Sequence, residues 1–236
     1  MKKLILTLGL TVTWVLSFSQ AETVRKSSKQ FSTPGNDFAF IEPNTDTTEL
    51  EFVATVRSIA KKGLGISKAY FAILEQANKY GANCFKPKAY NTNDSSGEVI
   101  LILDTYFGND SILNTNFNNH EETTVFVFGD ENTNGNETYS FKVNGNKKTI
   151  KSGTYYKQII KPGEEIKINK GGITGMTMWF KYKEGRKATF LTLTGLGLGG
   201  GPIPADVIGV SFNTGRLNPI SGDLGSLLKT LLKKSD

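Results

Sequence analysis

The chain has 236 residues, of which 38% are hydrophobic, and carries a formal net charge of +6 with a single cysteine. Lysine, aspartate and glutamate are mixed along the sequence without a dense basic block, which disfavours nucleic-acid binding. A lone cysteine excludes an intramolecular disulfide, so the fold must be held by packing and backbone hydrogen bonds.

Residues 1–21 have the pattern of a secretory signal peptide. Lys2 and Lys3 precede an apolar run from Leu4 to Phe18, and small or polar residues follow. The run is short for a membrane span, and a permanently anchored helix is the alternative. Because no cysteine follows the run, diacylation of the lipoprotein type is unavailable. After cleavage, residues 22–36 are predicted to form a flexible polar leader.

Residues 37–106 are predicted to form a small α/β domain with the order β-α-β-β. Apolar and polar residues alternate over 49–57, which predicts a strand with one buried face. The apolar members of this alternation are Leu50, Phe52, Ala54 and Val56. Ser67 can cap a helix over 67–80, which Gly81 ends.

Two further strands are predicted in this domain, over 84–90 and 98–106. The apolar run Val99–Leu103 favours a strand that is covered on both sides. Cys84 is predicted to be a small buried residue within a strand, although a reactive thiol is the alternative.

Residues 107–122 are predicted to be a linker between two domains, because this stretch is polar and rich in asparagine. The only histidine of the chain, His120, lies there beside two glutamates. We therefore expect a solvated loop histidine rather than a catalytic one.

Residues 123–219 are predicted to form an antiparallel β-sandwich. Asn144-Gly145 and Pro162-Gly163 supply tight turns between short strand patterns. The predicted strands are 124–128, 139–143, 148–151, 155–160, 165–168, 176–182, 188–193 and 207–212. The fold class expected from the whole chain is α+β, ending in an amphipathic helix over 220–236.

Two resemblances follow from these motifs. Residues 49–90, with their Tyr80-Gly81-Ala82-Asn83 helix exit, resemble small bacterial envelope domains of the heavy-metal-binding-domain and Rcs-lipoprotein type. Residues from Thr124 to about Pro219 resemble the β-sandwich domain of unknown function found in bacterial lipoproteins. The motifs that carry the second resemblance are Phe141-Lys142-Val143-Asn144-Gly145, Ser152-Gly153-Thr154-Tyr155-Tyr156 and Lys161-Pro162-Gly163-Glu164. It implies an immunoglobulin-like envelope module without an assigned activity.

The sequence predicts no catalytic, cofactor-binding or metal-ligating residue and no cofactor. A nucleophile elbow and a phosphate-binding loop are absent, and Ser58-Ile-Ala-Lys61 lacks the companion motifs of the enzymes that use Ser-x-x-Lys. Asp130 to Gly135 matches the first half of a calcium loop, but Phe141 occupies the position of the bidentate glutamate. A plain polar turn is the alternative interpretation.

Two apolar segments are candidates for membrane contact. The first is the glycine-rich Gly195 to Gly201, for which close sheet packing is the competing explanation. The second is the C-terminal tail, a pattern suited to docking on the sandwich or to lying on an anionic membrane. Its helical stripe, which lies near several lysines, consists of Leu224, Leu227, Leu228, Leu231 and Leu232.

These patterns predict an exported bacterial envelope protein without enzymatic activity, in the periplasm, on the outer-membrane surface or outside the cell. Its expected partner is an unknown envelope protein or surface component. A peripheral membrane protein attached through the two apolar segments is the alternative, and a hydrolase is a distant third. Nucleic acid is not an expected partner.

Overall fold

The structure is a computed structural model that describes residues 19–31, 38–93, 95–171, 175–194, 208–210 and 217–235. The signal-peptide run and the glycine-rich segment therefore lie outside the described residues. Within these ranges the chain is a mixed α and β fold with three helices and three five-stranded sheets. The broad prediction of a strand-rich α and β protein is confirmed.

The first half contains β1 (Gln20–Lys26), β2 (Ala39–Phe40), β3 (Glu51–Ala60), α1 (Gly65–Asn78), β4 (Cys84–Thr92), β5 (Val99–Phe107) and α2 (Asp110–Asn119). The second half contains β6 (Thr124–Phe128), β7 (Thr138–Val143), β8 (Asn146–Lys151), β9 (Thr154–Ile159), β10 (Glu165–Lys170), β11 (Met176–Lys181), β12 (Thr189–Thr192), β13 (Ile208–Val210), β14 (Asn218–Ile220), α3 (Gly222–Leu231) and β15 (Lys233–Lys234).

The first sheet has the strand order β1-β3-β5-β4-β2, and α1 packs on it. Strand β1 corrects the prediction of a flexible leader over 22–36, because Gln20–Lys26 pairs antiparallel with β3. Its side chains give little apolar signal, and it is held by backbone pairing with β3 and by polar contacts, such as Thr23 with the Tyr80 hydroxyl at 2.9 Å. The expected end of the signal peptide, Ala21, lies within this strand.

Two details of the central strands differ from the sequence pattern. A bulge between Phe52 and Ala54 changes the alternation, so that Val53 is buried while Phe52 lies against Tyr106 outside the core. The prediction that β5 is covered on both sides is wrong, since its residues alternate between buried and half-buried positions. One face of the first sheet packs on α1, whereas the other is only partly covered.

The stretch predicted as a polar linker, 107–122, contains the helix α2. Asn109 caps this helix, because its side chain accepts a hydrogen bond from the Ile112 amide at 3.0 Å. Asn116 is buried within the helix. Apolar periodicity gave no signal here because amide side chains provide the contacts. The proposed division into two domains stays a prediction.

The remaining strands form two sheets that share an apolar cluster. The middle sheet has the order β14-β12-β6-β9-β15, and the outer sheet has the order β13-β11-β10-β7-β8. Asn144 and Gly145 have positive φ angles of 49° and 83°, as the predicted tight turn requires. The expectation of purely antiparallel pairing is wrong, because β12 pairs parallel with β6 and β15 pairs parallel with β9. The chain visits the outer sheet between β6 and β12, so no hairpin fixes their relative direction.

Strands β6 and β12 of the middle sheet are buried on both faces. Val125 and Val127 point toward the outer sheet, whereas Phe126 and Phe128 belong to the apolar cluster that includes the core of the first half. The C-terminal helix prediction is confirmed in part, because α3 spans Gly222–Leu231 and gives way to a short strand. The leucines of α3 that join this cluster are Leu224, Leu227 and Leu228. Docking on the protein is therefore the observed use of its apolar stripe.

Candidate functional site

A cleft with a volume of about 560 Å³ lies where the two halves of the chain meet. One wall is the turn from Lys62 to Gly65 that leads into α1, and the other is the loop that begins at Asp130. Lys68 and Thr194 also line it. Its position at a junction between two structural units is typical of ligand clefts.

A buried glutamate from the second half caps the helix of the first half. Glu131 is 4% exposed and accepts hydrogen bonds from the Ser67 amide, at 2.6 Å, and from the Ser67 hydroxyl. The helix has no cap from its own N-cap residue, Leu64. The prediction that Ser67 starts the helix is thus corrected, because Ser67 lies in the first turn and binds a distant carboxylate instead.

Glycine at position 65 makes this approach possible. Its φ angle is +70°, and a Cβ atom there would lie 2.6 Å from Oε2 of Glu131. A side chain would therefore be strained by the backbone and would also collide with the carboxylate. The turn leading into α1 is shaped for a carboxylate supplied by the loop after β6.

Burial dominates the electrostatics of Glu131. Desolvation raises its pKa to about 7 from the model-peptide value of 4.5, and the hydrogen bonds from Ser67 oppose this shift. Asp130 raises the pKa further because its negative charge is nearby. Near neutral pH the Glu131 carboxyl is therefore only partly ionised.

The loop that resembles half a calcium site is used for local hydrogen bonds. Oδ1 of Asn132 accepts the Asn134 amide at 3.1 Å, and the Gly135 amide donates to the Asn132 carbonyl at 3.1 Å. Phe141 lies in the apolar cluster between the middle and outer sheets. Among the described residues, no three His, Cys, Asp or Glu side chains come together as a metal site.

A second cavity of about 330 Å³ lies beside α2 and α3. His120 corrects the expectation of a solvated histidine, since its side chain is 13% exposed and Nδ1 is 3.6 Å from Oε1 of Glu42. Asn116 fixes the same corner, because its Oδ1 accepts the Glu42 amide at 2.8 Å and the Thr45 hydroxyl at 2.9 Å. Tertiary contacts to residues more than 70 positions away, which local sequence does not show, bury this histidine.

Charged groups around this cavity join elements of both halves. Nζ of Lys229 on α3 is 3.7 Å from Oε1 of Glu42 and 3.9 Å from Oε2 of Glu121. Asp223, at the start of α3, accepts the Phe40 amide at 2.8 Å. Lys229 and Asp223 thus connect α3 to β2 and to the segment after α2, as Glu131 connects the loop after β6 to α1.

Cys84 is buried and free, which confirms the prediction of a core residue. Burial raises the pKa of its thiol to about 12, and its Sγ is 3.6 Å from the Tyr106 carbonyl. The thiolate that a nucleophile or metal ligand requires is therefore disfavoured at this position.

The outer face of the outer sheet carries a group of lysines, of which only Lys181 forms an ion pair among the described residues. Along β7, β8, β10 and β11, five lysines and one glutamate point away from the apolar cluster, for a net charge of +4. They are Lys142, Lys147, Lys151, Lys167, Lys181 and Glu165. Trp179 lies among them, half-buried and outside both apolar clusters.

The sequence patterns predicted the strands of this face, but not that their lysines share one exposed side of the sheet. The signal was present in the alternation of β7, β10 and β11, where Lys142, Lys167 and Trp179 occupy the positions between buried apolar residues. Glu131 and Glu42 were missed because no local pattern marks a carboxylate that is buried by a distant segment.

No family model, curated protein or solved structure matches the chain. Within the described ranges, none of the helices has the length and hydrophobicity needed to cross a bilayer.

Proposed function

We propose that the chain is an exported bacterial envelope protein that works as a non-enzymatic binding or positioning module. The observation that supports this proposal is that the charged groups fall into two sets, one that contacts the rest of the chain and one that faces solvent. Glu131, Glu42 and Lys229 contact other parts of the chain at the two cavities, whereas the outer sheet presents charged side chains to solvent. A surface with one sign of charge attracts partners of the opposite sign.

The sequence features agree with this role. Residues 1–21 carry the export pattern, and the resemblance over residues from Thr124 to about Pro219 implies an immunoglobulin-like module of the envelope. In this proposal the middle and outer sheets form that module, and the first half with α3 packs on its rear face.

The first experiment tests export. The full chain with a C-terminal epitope is expressed in a bacterial host beside a variant in which residues 4–18 carry three apolar-to-lysine changes. We expect the unmodified chain in the periplasmic, surface or medium fraction and the variant in the cytoplasm. Retention of both chains in the cytoplasm would contradict the export part of the proposal.

The second experiment tests contact through the outer sheet. A photo-reactive amino acid is placed at Thr149, on the exposed face of β8, and in a matched variant at Glu75, on the exposed side of α1. We expect light-dependent adducts with envelope components from position 149 and few from position 75. Equal labelling from both sites, or turnover of a substrate in a broad hydrolase screen, counts against a binding module of this kind.

A further inference from the structure

Part of the outer sheet forms a basic strip, which consists of Lys147, Lys142, Lys167 and Trp179. Lys147 lies directly opposite Lys142, and Lys142 lies opposite Asn169 on the next strand. Two residues before Asn169, Lys167 lies opposite Trp179. The strip therefore crosses four strands, a distance of roughly 14 Å at the usual spacing between strands.

The lysines of the strip have no acidic partner within the part of the chain that the structure describes. Lys181, at the end of β11, has an ion pair with Glu165 at 3.3 Å, but Lys142, Lys147 and Lys167 have none. Two like charges directly opposite on neighbouring strands destabilise a sheet. An anionic ligand would remove this repulsion, so the strip is complementary to a negatively charged partner.

We propose that the basic strip binds an acidic polysaccharide laid across the strands. Lysines supply contacts for its carboxylate or sulfate groups, and Ser140 and Thr149, which lie opposite each other beside the strip, offer hydroxyl groups for its sugar hydroxyls. The ring of Trp179 supplies an apolar face for a sugar ring. This inference rests on the proposed function, for which it names the partner.

The position of the aromatic ring favours a polymer over the other anionic partners. Trp179 is half-buried on β11 with a neighbouring strand on each side, so it exposes only part of its ring, whereas Trp residues that anchor proteins to a bilayer insert at the headgroup level. Single-stranded nucleic acids bind on several successive aromatic platforms, whereas the strip has one aromatic ring. A linear acidic sugar polymer can be bound by what the strip offers, which is a row of positive charges, neighbouring hydroxyl groups and one aromatic ring.

Binding is measured on the full chain in a Trp14→Phe background, in which Trp179 is the only tryptophan. The probe is polygalacturonate, and dextran is the neutral control. The test variant is Lys142→Gln/Lys147→Gln/Lys167→Gln. The matched control is Lys61→Gln/Lys161→Gln/Lys183→Gln, which removes the same charge from exposed positions elsewhere.

We expect polygalacturonate, but not dextran, to change the fluorescence of Trp179. The strip variant should weaken binding by about tenfold or more while the control variant stays within about twofold, since charge contacts at the binding surface dominate. Melting temperatures no lower than that of the parent chain would show that both variants are folded. An equal loss in the two triple variants, or fluorescence that does not respond at saturation, would overturn the assignment of the strip.

Two further measurements distinguish the polysaccharide from other anionic ligands and distinguish this inference from the proposed function. Vesicles of phosphatidylglycerol and a thymidine oligonucleotide are titrated into the same variants, and tighter strip-dependent binding to either would overturn the polysaccharide in favour of that ligand. No binding to any anionic probe also overturns the inference. Cross-linking from position 149 decides the proposed function separately, because it does not depend on the nature of the partner.

Discussion

The middle and outer sheets are built from neighbouring segments of one chain, yet they have different surroundings. Every residue of β6 and β12 is buried, and the middle sheet packs on the outer sheet on one side and on α3 and the first half on the other. The outer sheet is buried on one face, and its other face carries lysines. The middle sheet therefore holds the two halves together, whereas the outer sheet exposes a charged face among the described residues.

The largest expected effect comes from shortening an aromatic residue of the middle sheet. Phe190 is 4% exposed, and its ring stacks on Phe126 with 5.1 Å between centroids. Phe190→Ala should lower the free energy of unfolding by about 3–5 kcal/mol, because it removes a large buried side chain between two layers. Urea unfolding followed by circular dichroism and by Trp179 fluorescence measures the loss.

The control for this variant is Phe117→Ala, since Phe117 is 57% exposed. It should cost no more than about 1 kcal/mol. Because one apolar cluster includes both halves, circular dichroism and fluorescence should report the same transition midpoint in the Phe190 variant. Two separate transitions would show that the middle sheet does not couple the halves.

The next effect concerns the pH dependence of the link through Glu131. Its pKa in the fold is raised to about 7, so the folded state binds a proton more tightly than the unfolded chain does. The contribution of this group to stability should fall by up to about 3 kcal/mol as the pH rises from about 4.5 to 7, and it should change little above that. Urea unfolding across this range measures the slope.

Glu131→Gln should remove this part of the slope, because an amide has no proton to lose and its oxygen can still accept the Ser67 amide hydrogen bond. Glu75→Gln, at an exposed position of α1, is the control and should leave the slope in place. A slope of opposite sign in the unmodified chain, with stability rising from pH 4.5 to 7 through Glu131, is incompatible with a carboxyl whose desolvation dominates.

A third prediction tests how closely α3 packs on the middle sheet. A Cβ atom at Gly225 would lie 2.1 Å from Cγ of Phe190. Gly225→Ala should therefore cost about 1–3 kcal/mol through overpacking, despite the better helix propensity of alanine. Gly222→Ala in the same helix is the matched control, because a Cβ atom there has no neighbour within 4 Å.

Adding Phe190→Leu to Gly225→Ala should recover part of the loss, since the smaller side chain vacates the space that the new methyl group needs. Strict additivity of the two changes in thermal denaturation would contradict a direct contact between α3 and β12.

The sequence predicted the elements that have regular apolar patterns. Strand β6 and the Asn144-Gly145 hairpin were recovered because a short run of β-branched and aromatic residues and turn chemistry are both local properties. The missed elements, β1, β2, β14, β15 and α2, are short or polar, and they are held by pairing with distant segments. For the same reason the buried carboxylates at the two cavities were missed, whereas the lysines of the outer sheet could have been found from their alternation.

The smallest expected effect distinguishes a contact surface from a purely structural one. Lys142→Thr removes the repulsion with Lys147 directly opposite it and adds a residue with high β propensity. The free energy of unfolding should rise by about 0.2–1 kcal/mol at low salt, and the gain should shrink at high salt because salt screens the lysine pair.

Lys151→Thr is the matched control, since the residue opposite Lys151 is the uncharged Thr138. A gain in stability accompanied by weaker binding to polygalacturonate would mean that these lysines are kept for contact at the expense of stability. Destabilisation by Lys142→Thr would instead show that its side chain supports the sheet.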